Sequence, residues 1–266
     1  MNANMNDAQP LFEVRNITKS FGGLQAVSDV SFSVLSGEIL GLIGPNGAGK
    51  STVFNLISGF HPLSYGNVIF KGKDITGRKA HTITGLGISR AFQEVTLFMK
   101  LSVLENVLSG FHLYYRQGAW KSVLHTPAAK NEEDKAREEA LRIIEFMGLS
   151  AVKDQLAQNL PHGHQKILGV CVALATHPSL LLLDEPLTGM HPEETEEMMR
   201  VIRQIRERGI TIILVEHNID AVMRLCSRIV VLNHGRKIAE GLPQEIRNHK
   251  EVIEAYLGAD DDEGEV

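Results

Sequence analysis

Gly44-Pro45-Asn46-Gly47-Ala48-Gly49-Lys50-Ser51-Thr52 decides how the chain reads. It is entered from the apolar run Ile39-Leu40-Gly41-Leu42-Ile43 and left through Val53-Phe54-Asn55-Leu56-Ile57. The spacing is G-x-x-x-x-G-K-[ST], set as that motif requires between a strand-like run and an apolar helix. Glycines let the backbone wrap closely around a phosphate chain with its N–H groups turned inward. A helix starting near Gly49 adds the positive end of its dipole. Lys50 reaches the outer phosphates, and the Ser51 hydroxyl takes a place on Mg²⁺. These residues imply a nucleoside triphosphate as ligand.

A phosphate loop next needs an acid at the end of a buried strand. Leu180-Leu181-Leu182-Leu183 is a buried-strand run, and Asp184-Glu185-Pro186 ends it. Asp184 fits a Mg²⁺ ligand. Glu185, one residue on, points elsewhere and is placed to polarise an attacking water as a general base.

At 266 residues and 43% hydrophobic, the chain has enough material for one large domain, or one domain with a sub-domain, around a real core. A net charge of -5 argues against a nucleic-acid binder working through bulk electrostatics. Cys171 and Cys226 are far apart and neither belongs to a CxxC pair, so neither a disulfide framework nor a cysteine metal site is expected. The first residues lack the pattern of a signal peptide. No run approaches the roughly 18 apolar residues that span a membrane. The expectation is a soluble protein in a reducing compartment.

Along the chain, Leu11 to Ile17 and Val30 to Val34 alternate as half-exposed strands, with turns at Gly22-Gly23 and Ser36-Gly37. Tyr65-Gly66-Asn67 opens the strand Val68-Ile69-Phe70, which Gly72 turns back, and Ile88 to Phe92 is a short strand ending at Gln93. Leu101 to about Leu149 reads as helical, interrupted by an irregular, aromatic-bearing insertion over Phe111 to Ala129 and stopped at Gly148. A charged helix over Glu193 to Arg208 follows the acid pair, then a buried strand, Ile210 to Val215. Ile229 to Leu232 and Lys237 to Ala239 form a hairpin around Asn233-His234-Gly235. Antiparallel strands first and a βα pattern after them predict an α/β fold: a small β layer joined to a mostly parallel core sheet.

The order Gly44–Ser51, Gln93, Leu160–Gln165, Asp184-Glu185 and His217 resembles the ATP-binding cassette family from Leu11 to Leu257. Within it the chain is similar to ATP-binding subunits of bacterial importers of branched-chain (hydrophobic) amino acids. Ile17-Thr18-Lys19-Ser20-Phe21-Gly22-Gly23-Leu24, Ile88-Ser89-Arg90-Ala91-Phe92-Gln93, Leu97-Phe98, Leu104-Glu105-Asn106-Val107, Leu214-Val215-Glu216-His217-Asn218 and Val222-Met223 carry that closer likeness. The resemblance implies a P-loop NTPase cassette over 11–258, with a helical sub-domain at about 94–178; the acidic run Asp260 to Glu265 makes 259–266 a solvated, disordered tail. It implies that Phe21 stacks on adenine, that Gln93 contacts Mg²⁺ beside Ser51 and Asp184, and that His217 reads the γ-phosphate. It also implies that Leu160 to Gln165 is the signature that meets the ATP of a second cassette.

That signature usually runs Leu-Ser-Gly-Gly-Gln. Here it is Leu160-Pro161-His162-Gly163-His164-Gln165. Pro161 has neither the serine hydroxyl nor an N–H, while His162 and His164 are potential phosphate donors. Val172 stands where the family often has arginine, and Gly189-Met190-His191-Pro192 lacks an acid usual at the dimer contact. The resemblance implies an ATPase with ATP and Mg²⁺ as ligands, peripheral on the cytoplasmic face of the plasma membrane. Its implied partners are a second, different cassette, integral-membrane permease subunits around Gln93 to Tyr115 and, indirectly, an external solute-binding protein, with no nucleic acid. The alternatives are a nucleotide-gated regulatory cassette of weak hydrolysis and the cassette of a lipopolysaccharide-type exporter.

Overall fold

Two strand patterns, alternating and wholly apolar, build two sheets. The computed structural model describes residues 9–91, 97–111 and 127–262. In chain order it contains β1 (Phe12–Phe21), β2 (Leu24–Val34), β3 (Ile39–Ile43), α1 (Lys50–Ile57), β4 (Tyr65–Phe70), β5 (Lys73–Asp74), α2 (Ala80–Gly85) and β6 (Ile88–Ala91). There follow α3 (Val103–Gly110), α4 (Pro127–Phe146), α5 (His162–Leu174), β7 (Leu180–Asp184), α6 (Pro192–Glu207) and β8 (Thr211–Val215). The last are α7 (Ile219–Leu225), β9 (Arg228–Asn233), β10 (Arg236–Gly241), α8 (Pro243–Arg247) and α9 (Lys250–Asp262).

The alternating strands β1, β2, β4 and β5 form an antiparallel sheet ordered β2-β1-β4-β5. The apolar runs of β3, β7 and β8 lie inside a second sheet ordered β10-β9-β3-β8-β7-β6, parallel except for the β9–β10 hairpin at one edge. Why the runs of β3, β7 and β8 carry no polar alternation is visible in their packing. Leu40, Leu42, Leu180, Leu182, Ile213 and Val215 face α1 and the antiparallel sheet. Their neighbours Ile39, Ile43, Leu181, Leu183, Ile212 and Leu214 face the helices. Parallel strands covered on both faces read as near-continuous apolar runs. Each buried Leu or Ile contributes about 1.5–3 kcal/mol.

Helices α3, α4 and α5 pack on one another through Val107, Ala140, Ile144, Met147, Leu168 and Cys171, continuous with the helix-facing core of the sheet. The helical stretch expected over Leu101 to Leu149 therefore divides into α3 and α4. The irregular insertion ends earlier than expected, because Pro127 to Ala129 already belong to α4. Proline is favoured in a first turn, where its missing N–H costs nothing. The rest of that insertion, 112–126, lies outside the described residues, as do Phe92 and Gln93. At the C-terminus α9 continues to Asp262, so 259–262 are helical where a disordered tail was expected, and 263–266 are outside the described residues.

Candidate nucleotide site

Three strand ends and one helix start meet at the C-terminal edge of the parallel sheet, the edge where open α/β sheets hold their ligands. The phosphate loop leaves β3 and enters α1. Gly44 has φ +154° and a Cβ there would lie 2.1 Å from the Leu232 carbonyl oxygen. Gly49 has φ +97° and a Cβ there would lie 2.8 Å from the Ala26 carbonyl oxygen. Neither position admits a side chain, which is why the motif's two fixed glycines are glycines. No side chain caps α1, so its first amides are left for a ligand.

Asn46 to Thr52 line a cavity of about 470 Å³ together with Leu24, Gln25, Ala26, Glu185, His217, His234 and Gly235. Lys50 is buried, its Nζ donating to the carbonyl oxygens of Gly44 at 2.7 Å and Pro45 at 2.9 Å. Burial pushes its ammonium below the ordinary lysine value, while the charges of Glu185 and Asp184 act the other way. A desolvated, partly compensated cation beside a ring of glycine amides suits an anionic ligand.

Asp184 ends β7, 4% exposed. Its Oδ2 accepts from the Arg90 guanidinium at 2.5 Å, and its Oδ1 is buried with no hydrogen-bond partner in the protein. A carboxylate oxygen left over in this way fits a bound cation. Arg90 also donates to Asn55 at 2.8 Å and lies over the rings of Phe54 and Phe60. Glu185 has φ +50° and is buried. Its Oε1 lies 2.6 Å from Nε2 of His217, and Thr188 Oγ1 donates to its Oε2 at 3.4 Å. Asp184 and Glu185, adjacent in sequence, thus face different partners.

Of the other expected residues, Gln93 lies outside the described residues. Phe21 is half-exposed at the end of β1, edge-on to His61 at 5.7 Å, with Lys19 Nζ 4.9 Å from its ring centre. It is not among the residues that line the cavity, whereas Leu24 on the next strand is. Residues 160–165 are also outside that lining. Pro161 precedes α5 without a side-chain cap, His162 is exposed, and Gly163 is packed so that a Cβ would lie 2.6 Å from Glu194 Oε1. Nδ1 of His164 is buried without a hydrogen-bond partner. Gln165 Nε2 donates to the Leu160 carbonyl at 3.0 Å.

The sequence reading missed Arg90, Lys166, Glu216 and His234. Glu216 is 1% exposed and accepts from the amides of Leu187 at 2.6 Å and His217 at 3.2 Å. Burial, with the charge of Glu185 adding to it, pushes its carboxyl above the ordinary glutamate value. A single charged residue directly after the apolar run Ile212 to Val215 of β8 was the available signal for it.

Residues 27–188 match the ABC transporter family, and residues 236–262 match a branched-chain amino acid ATP-binding cassette transporter family. The chain is 39% identical over 252 residues to the high-affinity branched-chain amino acid transport ATP-binding protein LivG of Salmonella typhimurium, covering 94% of this chain and 99% of that one. The fold superposes on MJ1267, an ATP-binding cassette of an ABC transporter in its ADP conformation, with TM-score 0.82 and 31% identity over 94% of this chain and all of that one. It also resembles the dimeric post-hydrolysis state of the cassette MJ0796 bound to ADP and Pi, with TM-score 0.73 and 25% identity over 87% and 98% of the two chains.

Proposed function

The chain belongs to the ABC transporter family of ATP-binding cassettes, and from that premise we propose that it is the ATP-hydrolysing subunit of an importer of branched-chain or other hydrophobic amino acids. The observation that carries the reading is the meeting of the phosphate loop, the buried Lys50 and the Glu185–His217 pair, 2.6 Å apart, at one cavity. ATP lies with its phosphates on residues 44–52 and Lys50, its adenine towards Phe21. Mg²⁺, held by Ser51, Asp184 and Gln93, neutralises phosphate charge when bound. Glu185 takes a proton from the attacking water. His217, at hydrogen-bond distance from Glu185 in this structure, holds that carboxylate in place and donates to the γ-phosphate when ATP is bound.

Residues 160–165 lie away from this cavity and serve the nucleotide of a second cassette. With Pro161 lacking an N–H, the contact falls to Gly163, His162 and His164. A partner with an unaltered signature would complete the site at Lys50, so the pair is a heterodimer. The membrane subunits dock beside Gln93. Arg90, three residues before Gln93 in sequence, lines a mainly apolar cavity of about 350 Å³ with Phe60, Leu97, Gly110 and Val172 among others, and Phe98 and Met99 are exposed. Among the described residues no helix is long and apolar enough to cross a membrane; by likeness to the transport ATP-binding proteins, attachment is peripheral, on the cytoplasmic face. The match over residues 236–262 supports an amino acid importer over an exporter.

The test is ATP turnover by the transporter assembled from this chain and the subunits encoded beside it. Glu185→Gln is expected to abolish turnover at this chain's site while ATP binding persists. Turnover unchanged in that variant would leave the chain a nucleotide-gated regulatory subunit.

A further inference from the structure

One buried cation is not used by the phosphate loop. Lys166 lies in the first turns of α5, beside the apolar Ile167 and Leu168, and is 7% exposed. A buried ammonium needs acceptors, and this one finds them in a loop 19 to 22 residues away. Its Nζ donates to the carbonyl oxygens of Glu185 at 3.2 Å and Thr188 at 2.5 Å. Burial pushes it below the ordinary lysine value, and the charges of Glu216 and Glu185 act against that.

The loop it grips is unusual. Glu185 sits at φ +50°, a left-handed conformation that a side-chain-bearing residue keeps only where its surroundings impose it. Those surroundings include three hydrogen bonds, from β8, from Glu216 just after it and from α5. The Glu185 amide donates to the Val215 carbonyl on β8 at 2.9 Å. The Leu187 amide donates to Glu216 at 2.6 Å. The Glu185 carbonyl is held by Lys166 from α5, the helix that starts at the signature stretch 160–165.

We infer that Lys166 is a positioning residue for hydrolysis: through the Glu185 carbonyl it fixes the backbone that aims the Glu185 carboxylate, and it ties that aim to the placement of α5. This rests on the hydrolytic role of Glu185 proposed above. Its consequence is directional. When α5 shifts against a second chain's nucleotide, the pull reaches the carboxylate serving this chain's own nucleotide. The competing role is charge balance alone, with Lys166 a counter-ion for Glu216 and Glu185.

The two roles separate in the assembled transporter. Lys166→Met is expected to lower kcat at least tenfold, with KM for ATP and the Kd of a fluorescent ATP analogue within twofold of wild type. Lys166→Arg, which keeps donors and charge, falls between. Lys166→Met with Glu216→Gln removes one buried charge of each sign, and the glutamine keeps an acceptor for the Leu187 amide, so this pair stays folded if the single variant does not. The inference requires its kcat to stay at least tenfold low. A double variant within twofold of wild-type kcat, or a single variant that loses nucleotide affinity in step with kcat, would overturn it. If wild-type turnover ignores Glu185→Gln, the hydrolytic reading itself fails. If Glu185→Gln abolishes turnover and the double variant does not lower it, only the role of Lys166 fails.

Discussion

The phosphate loop at 44–52 and the stretch at 160–165 both lead into helices whose first amides no side chain caps. Two other helix starts are capped by side chains, Ser102 and Glu105 closing α3 and Asn218 accepting from Ala221 at the start of α7, while α2 also begins without a side-chain cap. Uncapped starts leave donors for something else. At α1 that something has a place within one chain. Backbone amides, Lys50, Glu185 and His217 surround one cavity. At α5 Pro161 and His162 are exposed, Gly163 is packed against Glu194, and none of the three lines the chain's own cavity. One site is nearly complete in this chain and the other is half of a site that a second chain must finish.

That contrast can be broken experimentally, beginning with the largest effect. Glu185→Gln should lower turnover in the assembled transporter by about 100- to 10,000-fold, with the affinity of the isolated chain for ATP unchanged in equilibrium binding. Loss of affinity would mean the carboxylate holds nucleotide rather than activating water. Arg90→Met should cost less. It frees Asp184 from its 2.5 Å partner, so the Mg²⁺ concentration for half-maximal turnover should change several-fold, and an unchanged Mg²⁺ titration would remove Arg90 from the site. Gly163→Gln should leave ATP binding by the isolated chain untouched while reducing turnover of the assembled pair about tenfold, because residue 163 lies outside the lining of the Lys50 cavity and its added side chain displaces Glu194 beside the start of α5. The same variant gains helix propensity but must displace Glu194, which accepts from the His191 amide, so its Tm should fall slightly.

The smallest effect concerns pH. The Glu216 carboxyl lies above its ordinary value of 4.5 in the folded chain, so the folded state binds the proton more tightly than the unfolded one. The stability this adds is fully present below pH 4.5 and is lost as pH rises through the folded value. Wild type should therefore gain Tm relative to Glu216→Gln as pH is lowered from 7 towards 4.5. A constant difference across that range would show that burial does not shift Glu216.

Legibility in the sequence followed the same division. β3, β7 and β8 were readable because both faces of each are buried, and the loop at 44–52 because Gly44 and Gly49 meet backbone atoms that exclude any side chain. Arg90, Lys166 and Glu216 were not readable. Each acts on a loop or strand 19 to 94 residues away, and no local spacing encodes such a contact. The helical 259–262 segment was misread for another reason: acidic residues near a helix C-terminus are locally unfavourable, and the helix continues regardless. Phe21 is a local match to a family pattern, but its place beside His61 depends on where Gly22-Gly23 turns the chain.

The most direct test of the central claim is equilibrium binding of a fluorescent ATP analogue to the isolated full-length chain, comparing wild type, Lys50→Ala and Gly163→Gln. The account predicts that Lys50→Ala weakens binding by about 30-fold or more, the scale of a lost charge-assisted contact to phosphate, and that Gly163→Gln binds as wild type does. Equal binding by wild type and Lys50→Ala, or a loss confined to Gly163→Gln, would contradict it.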